Sequence, residues 1–262
     1  MKWHRINALI IRHLYLYRRS LPRFMDILFW PTMDLLVWGF FSVYLDRLNL
    51  GNVNIISLLL GAVIFWGMLH QSQGSVSTTF LEDVWEKNFL NLFVTPLSIA
   101  EFLVATICLV LIRVVLGLVA VSVLAVTLYQ FNIFALGYAI LPFLFNLVLF
   151  GCTLGILITV VIFRFGRSSQ ILAFGFVSLL QPFSAVFYPL SALPKTAQYV
   201  GYCLPSTYVF EGMRELINKG TFNMMDSLYA FLINILYLVL VMLLFYTMFK
   251  SVKKRGSLLN LE

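Results

Sequence analysis

The stretch AEFLVATICLVLIRVVLGLVAVSVLAVTL, residues 100–128, contains only two charged side chains, Glu101 and Arg113. A helix rises about 1.5 Å per residue, so this run more than crosses a hydrocarbon core of about 30 Å. Working outward, similar apolar runs recur along the chain. We read six spans, at roughly 27–45, 55–79, 100–128, 138–163, 170–188 and 228–249. The composition agrees. The chain is 61% hydrophobic and 11% charged, where a soluble domain carries about 25% charged residues. Its mean hydropathy is +0.94. The fold class is an all-α polytopic membrane protein. One domain covers 1–262, with an amphipathic helix over 1–25, a six-helix bundle over 27–249 and a tail over 250–262.

Lys and Arg positions set the orientation, because loops on the cytoplasmic side carry an excess of them. Lys2, Arg5, Arg12, Arg18, Arg19 and Arg23 precede the first span. Lys87 falls between spans two and three, Arg164 and Arg167 between four and five. Lys250, Lys253, Lys254 and Arg255 follow the sixth span. The other side carries Arg47, Lys195, Arg214 and Lys219. Both termini are therefore expected in the cytoplasm, and the chain in the cell membrane. The net charge of +7 suits anionic lipid headgroups. Nucleic-acid binding is not expected, because the basic residues cluster at span ends.

The first 23 residues read as a separate amphipathic helix. Arg5, Arg12, Arg19 and Arg23 share one face; Trp3, Ile6, Ile10, Leu14, Tyr17 and Leu21 lie roughly opposite. This pattern fits a helix in the interface plane. It does not fit a cleavable leader, which needs an uninterrupted apolar stretch and a small-residue cleavage site. Cys108, Cys152 and Cys203 have no disulfide or metal spacing.

The densest acidic cluster lies in TFLEDVWEKNFLNLFVTPLS, residues 79–98. Trp85, Phe89, Leu92 and Phe93 recur with helical spacing. Glu82, Asp83 and Glu86 crowd its opening turns, where the helix dipole favours negative charge. Ser77 or Thr79 would cap it, and Pro96 would end it. The reading is a short cytoplasmic helix with an acidic, aromatic surface. Acidic residues are repelled by the negative inner leaflet, so a docked protein suits this surface better than headgroups do.

At this point the chain resembles the membrane-spanning subunit of bacterial ABC-2-type exporters. The similarity rests on FMDILFWPTMDLLVWGFF, residues 24–41, on EDVWEKNFLNLFVTPLSIAEFL, residues 82–103, and on YPLSALPKTAQYVGYCLPSTYVFEGMRELI, residues 188–217. The resemblance implies that Glu82, Asp83, Trp85, Glu86, Lys87 and Asn88 form a coupling helix seated on a separate ATP-binding subunit. ATP and Mg would be bound by that partner. This chain would hold no cofactor and catalyse nothing, and it has no G-x-x-x-x-G-K-[ST] loop. A second permease copy, most simply a homodimer, would complete the path. The substrate would be a lipid-linked glycan or polysaccharide, or a hydrophobic drug or lipid.

Three further features leave alternatives open. HQSQGSVSTT, residues 70–79, reads either as a helix leaving the bilayer early or as a polar face on a water-filled path. The proline-broken segment 188–226 reads as an external hairpin on the interface. The resemblance implies instead a pair of short re-entrant helices, with Pro205, Tyr208, Glu211 and Arg214 at family-like positions. Glu211, Arg214 and Glu215 can pair along one helix, as can Glu215 and Lys219. Asp34, His70 and Arg113 are ionisable groups inside spans and so candidates for function. An Asp34–Arg113 or Asp34–His70 pair that orients helices is the plainer reading, and a proton relay the other. Gly151-x-x-x-Gly155 with Thr159 gives span four a small-residue face for close packing. A self-sufficient secondary transporter would need paired broken helices. An intramembrane enzyme would need a nucleophile or metal constellation that His4, His13 and His70 do not supply.

Overall fold

The computed structural model describes residues 2–48, 54–85, 97–165 and 170–255. For residues 22–24, 26, 83–85, 170–174, 249 and 251–255, only the backbone is described. Every regular element among the described residues is helical. In order they are α1 (Trp3–Arg19), α2 (Leu21–Arg47), α3 (Ile55–Trp85), α4 (Ile99–Tyr129), a 3-10 turn (Ile133–Ala139), α5 (Ile140–Phe165), α6 (Gln170–Leu180), a 3-10 turn (Leu190–Ala192), α7 (Lys195–Tyr202), α8 (Pro205–Lys219) and α9 (Met224–Arg255).

Five of these segments are long and apolar enough to cross a bilayer: Ile27–Arg47, Ile55–Glu82, Ile99–Tyr129, Ile133–Phe165 and Met224–Met248. The expected fifth span, 170–188, is corrected. Its helix stops at Leu180, and 181–188 is turn and bend. Pro182 explains the stop, since the residue before a proline avoids helical geometry and the proline has no N–H to donate. Ala185 then takes a left-handed φ of 52°, which no continuing helix allows.

The tightest packing joins α3 to α5. A Cβ placed on Gly151 would lie 2.5 Å from the Leu69 carbonyl oxygen, and one on Gly155 2.6 Å from Val76 Cβ. The small-residue face noted in the sequence therefore seats a neighbouring helix of the same chain. Ser77 Oγ bonds the Gly155 carbonyl across this seam at 3.3 Å, and Thr159 Oγ1 bonds the same oxygen at 2.9 Å. The core extends along the seam through Phe65, Phe143, Leu69 and Leu147, all essentially fully buried.

Tyr129, the last residue of α4, fills a notch in α2. A Cβ on Gly39 would fall 2.2 Å from the Tyr129 ring, and the Tyr129 hydroxyl donates to the Leu36 carbonyl at 3.3 Å.

α4 begins with a capping box. Ser98 Oγ accepts the Glu101 N–H at 3.2 Å, and the Glu101 carboxylate accepts the Ser98 N–H at 3.0 Å. That carboxylate also accepts the Lys2 N–H at 2.8 Å and lies 3.6 Å from Arg5. Glu101 is buried, so it anchors α1 to the bundle. At the other end of α1, Tyr17 lies beneath the Arg113 guanidinium, 4.2 Å from ring centroid to Cζ. At about 1.5 Å per residue the two contacts are roughly 20 Å apart on both helices. α1 therefore runs along the first part of α4 in the same direction. Its buried stripe is Ile6, Leu9, His13 and Tyr17, while Trp3 and Leu14 of the apolar face are exposed.

Candidate functional site

The polar run 70–79 does not leave the helix. α3 continues unbroken to Trp85, and its polar residues divide by register. Ser72, Gln73 and Ser77 are fully buried. Ser72 and Gly151 lie in direct contact across the α5 seam, as do Gln73 and Gly155. His70, Gln71, Gly74, Ser75 and Thr78 line a cavity of about 570 Å³.

α2 supplies the opposite wall with Ile27, Trp30, Pro31, Asp34 and Trp38. Pro31 sits inside α2 and cannot donate to the carbonyl of Ile27, one turn back. Trp66 and Arg113 add to the lining, together with Ser178, Gln181 and Phe187 from α6 and the turn after it. Trp38 stacks on Phe187 at 4.1 Å and 18°, so the turn created by Pro182 reaches the cavity wall.

The three intramembrane ionisable residues named from the sequence thus converge on one cavity. Asp34 and His70 are exposed in it and Arg113 is buried. His70 is near enough to act electrostatically on Asp34. The Asp34–Arg113 pair does not form: among the described residues no ion pair joins them. Arg113 Nη1 instead donates to Thr78 at 3.3 Å, and its plane covers Tyr17. Gln71 Nε2 donates to the Arg113 carbonyl at 3.2 Å.

The cavity therefore offers aromatic faces, one carboxylate, one imidazole, two side-chain amides and hydroxyls. Sequence reading missed Trp30, Trp38, Trp66 and Gln181, whereas Gln71 and Thr78 lie in the run 70–79, for which a polar face on a water-filled path was one alternative. The helical recurrence of His70, Gly74 and Thr78 was a signal for that face. Gln181 and Phe187 carry none, because their place depends on the fold of the turn.

A second polar assembly clasps that turn from α8. Pro205 opens α8 at its first position, where its missing N–H is not needed. Ser206 and Ser184 bond through their hydroxyls at 2.8 Å. The Glu211 carboxylate accepts the Leu190 N–H at 2.7 Å. Arg214 donates to the Val186 carbonyl at 3.2 Å, to the Ala185 carbonyl and to Glu211 at 3.0 Å. Burial pulls the Arg214 guanidinium below its ordinary pKa, and the Glu211 carboxylate works in the other direction. Tyr208 donates to the Tyr202 carbonyl at 3.0 Å, tying α8 to the end of α7. Lys219 pairs with Glu215 at 2.9 Å. These residues satisfy the backbone groups that a broken helix leaves open.

The acidic cluster begins differently from the expectation. Ser77 and Thr79 are mid-helix residues of α3, so neither is a cap. Glu82, Asp83 and Trp85 continue the helix of α3 to the end of its described residues. Glu86, Lys87 and Asn88 lie outside the described residues.

A sequence model described as ABC-2 type transporter matches residues 4–218. No curated protein matches the chain.

Proposed function

The chain belongs to the ABC-2 type transporter family, and from that premise we propose that it is the membrane-spanning permease subunit of an ATP-driven exporter. The observation that carries this reading is the convergence of Asp34, His70 and Arg113 with three tryptophans on one cavity between α2, α3 and α4. Charged groups at membrane depth are costly unless they face protein or water. Asp34 and His70 are exposed in the single chain, which favours a water-filled path closed by a second copy. The lining suits a bulky amphiphile, either a lipid-linked glycan or a hydrophobic drug or lipid. Aromatic rings stack on sugar or drug scaffolds, and Gln71, Gln181 and Thr78 offer hydrogen bonds.

Six crossings follow if α6 and the turn after it carry the chain to the outer side, where α7 and α8 form a re-entrant pair that enters and leaves from that side. Non-helical backbone is tolerated at membrane depth where protein covers it, and the α8 clasp supplies that cover. With both termini cytoplasmic, the end of α3 faces the cytosol. Glu82, Asp83, Trp85, Glu86, Lys87 and Asn88 then dock on a separate ATP-binding subunit. Cationic groups of that partner would pair with Glu82, Asp83 and Glu86. Motion of the partner on binding ATP and Mg passes along α3 to His70 and Thr78 in the cavity.

The test is co-purification with the ATP-binding chain and its hydrolysis rate in the complex. Glu86→Arg combined with Trp85→Ala is expected to release the partner. An unchanged complex with an unchanged ATPase rate would remove the coupling reading.

A further inference from the structure

A second recess of about 540 Å³ lies outside the cavity, between α1, the start of α2 and α4. Its wall is apolar, made by Leu14, Leu21, Ile27, Leu109, Ile112 and Leu116. Three arginines border it: Arg18 and Arg19, both exposed, and Arg113. Tyr17 completes the lining. Arg113 and Tyr17 keep only 7% and 9% of their surface exposed, yet each carries a buried polar atom, Nε and the hydroxyl, without a hydrogen-bond partner. Buried polar groups are normally satisfied. Among the described residues that line the recess, none is acidic.

We propose that this groove is a binding site for an anionic phospholipid, its acyl chain against Leu109, Ile112 and Leu116 and its phosphate among Arg18, Arg19, Arg113 and Tyr17. The proposal rests on the chain spanning a membrane and needs no particular transported substrate. Three arguments fix the occupant. An apolar wall rimmed by exposed guanidinium groups fits an acyl chain with an anionic head. Guanidinium recognises phosphate through several donors at once. Arg18 and Arg19 follow Tyr17 directly, so they sit at the level of Arg113 on α4. Exposed cations are costly in hydrocarbon, so the long Arg18 and Arg19 side chains extend from this level toward the headgroups. Ile27 and Arg113 line both the groove and the cavity, so a phosphate here is a counter-ion at the cavity wall.

The experiment uses the full-length protein in nanodiscs containing equal phosphatidylglycerol and phosphatidylcholine, transferred to detergent and analysed by native mass spectrometry for retained lipid. Phosphatidylglycerol is expected to be retained roughly tenfold over phosphatidylcholine. Arg18→Ala with Arg19→Ala should abolish that preference, and Ile112→Trp, which fills the groove, should abolish retention. Arg47→Ala, at the far end of α2, should leave it unchanged. Equal retention of the two lipids by the unaltered protein overturns the proposal, as does wild-type retention in either groove variant. The arginine variant alters exposed residues only, so it tests the site even if Ile112→Trp fails to fold. The readout uses neither ATP nor a transported solute, so it fails or succeeds independently of the exporter reading.

Discussion

The two faces of α3 are built from the same kinds of residue and have opposite fates. Toward α5, Ser72, Gln73 and Ser77 are dry, and Ser77 closes a bond onto a glycine carbonyl. Toward α2 and α4, Gln71, Gly74 and Thr78 meet an open cavity. Polarity alone therefore does not separate structure from function along this helix. What separates them is the neighbour: glycines on α5 bring backbone close enough to exclude water, whereas tryptophans and Pro31 on α2 hold the other side apart.

The largest break in this contrast should come from the dry face. Gly155→Leu drives a side chain into Val76 and the Gln73 carbonyl, so we expect a loss of about 3 kcal/mol or more, measured as the yield of monodisperse protein and its thermal unfolding. Normal stability would mean the seam is looser than described. On the cavity face, Thr78→Val removes the acceptor of a buried guanidinium. The expected cost is about 1.5–3 kcal/mol, read from thermal unfolding in detergent, with a drop in substrate-stimulated ATPase if the cavity is the path. Back on the dry face, Ser77→Ala should cost only about 0.6 kcal/mol, the usual worth of an interhelical bond in a membrane protein. Smallest of all is the coupling between Asp34→Asn and Arg113→Gln. No ion pair joins the two, so a double-mutant cycle on stability should be additive within about 0.5 kcal/mol. A larger coupling would restore the pair that the sequence suggested.

The long apolar helices were legible because lipid-facing and core positions are both apolar, so the runs stand out without any knowledge of neighbours. The end of the fifth helix at Leu180 was also written in the sequence. Pro182 was a stop signal inside an apolar run, and hydropathy masked it. The start of the acidic helix failed for the opposite reason. Ser77 and Thr79 resemble caps, but nothing between them and Trp85 breaks a helix, and a hydroxyl can bond back to its own turn, as Thr78 does to Gly74. The convergence of Asp34, His70 and Arg113 was half legible. Their cost in a membrane marked them as candidates, but which of them meet depends on helix rotation. The inward stripe of α1 was obscured by His13, which reads as polar yet is buried.

The Tyr129 ring in its Gly39 notch has a mechanical consequence. It works as a pin, so α2 can pivot against α4 there but cannot slide along it without ejecting the ring. Any widening between these two helices must grow with distance from the pin. It is then greatest at the opposite end, where Ile27 and Arg113 form the partition between cavity and groove.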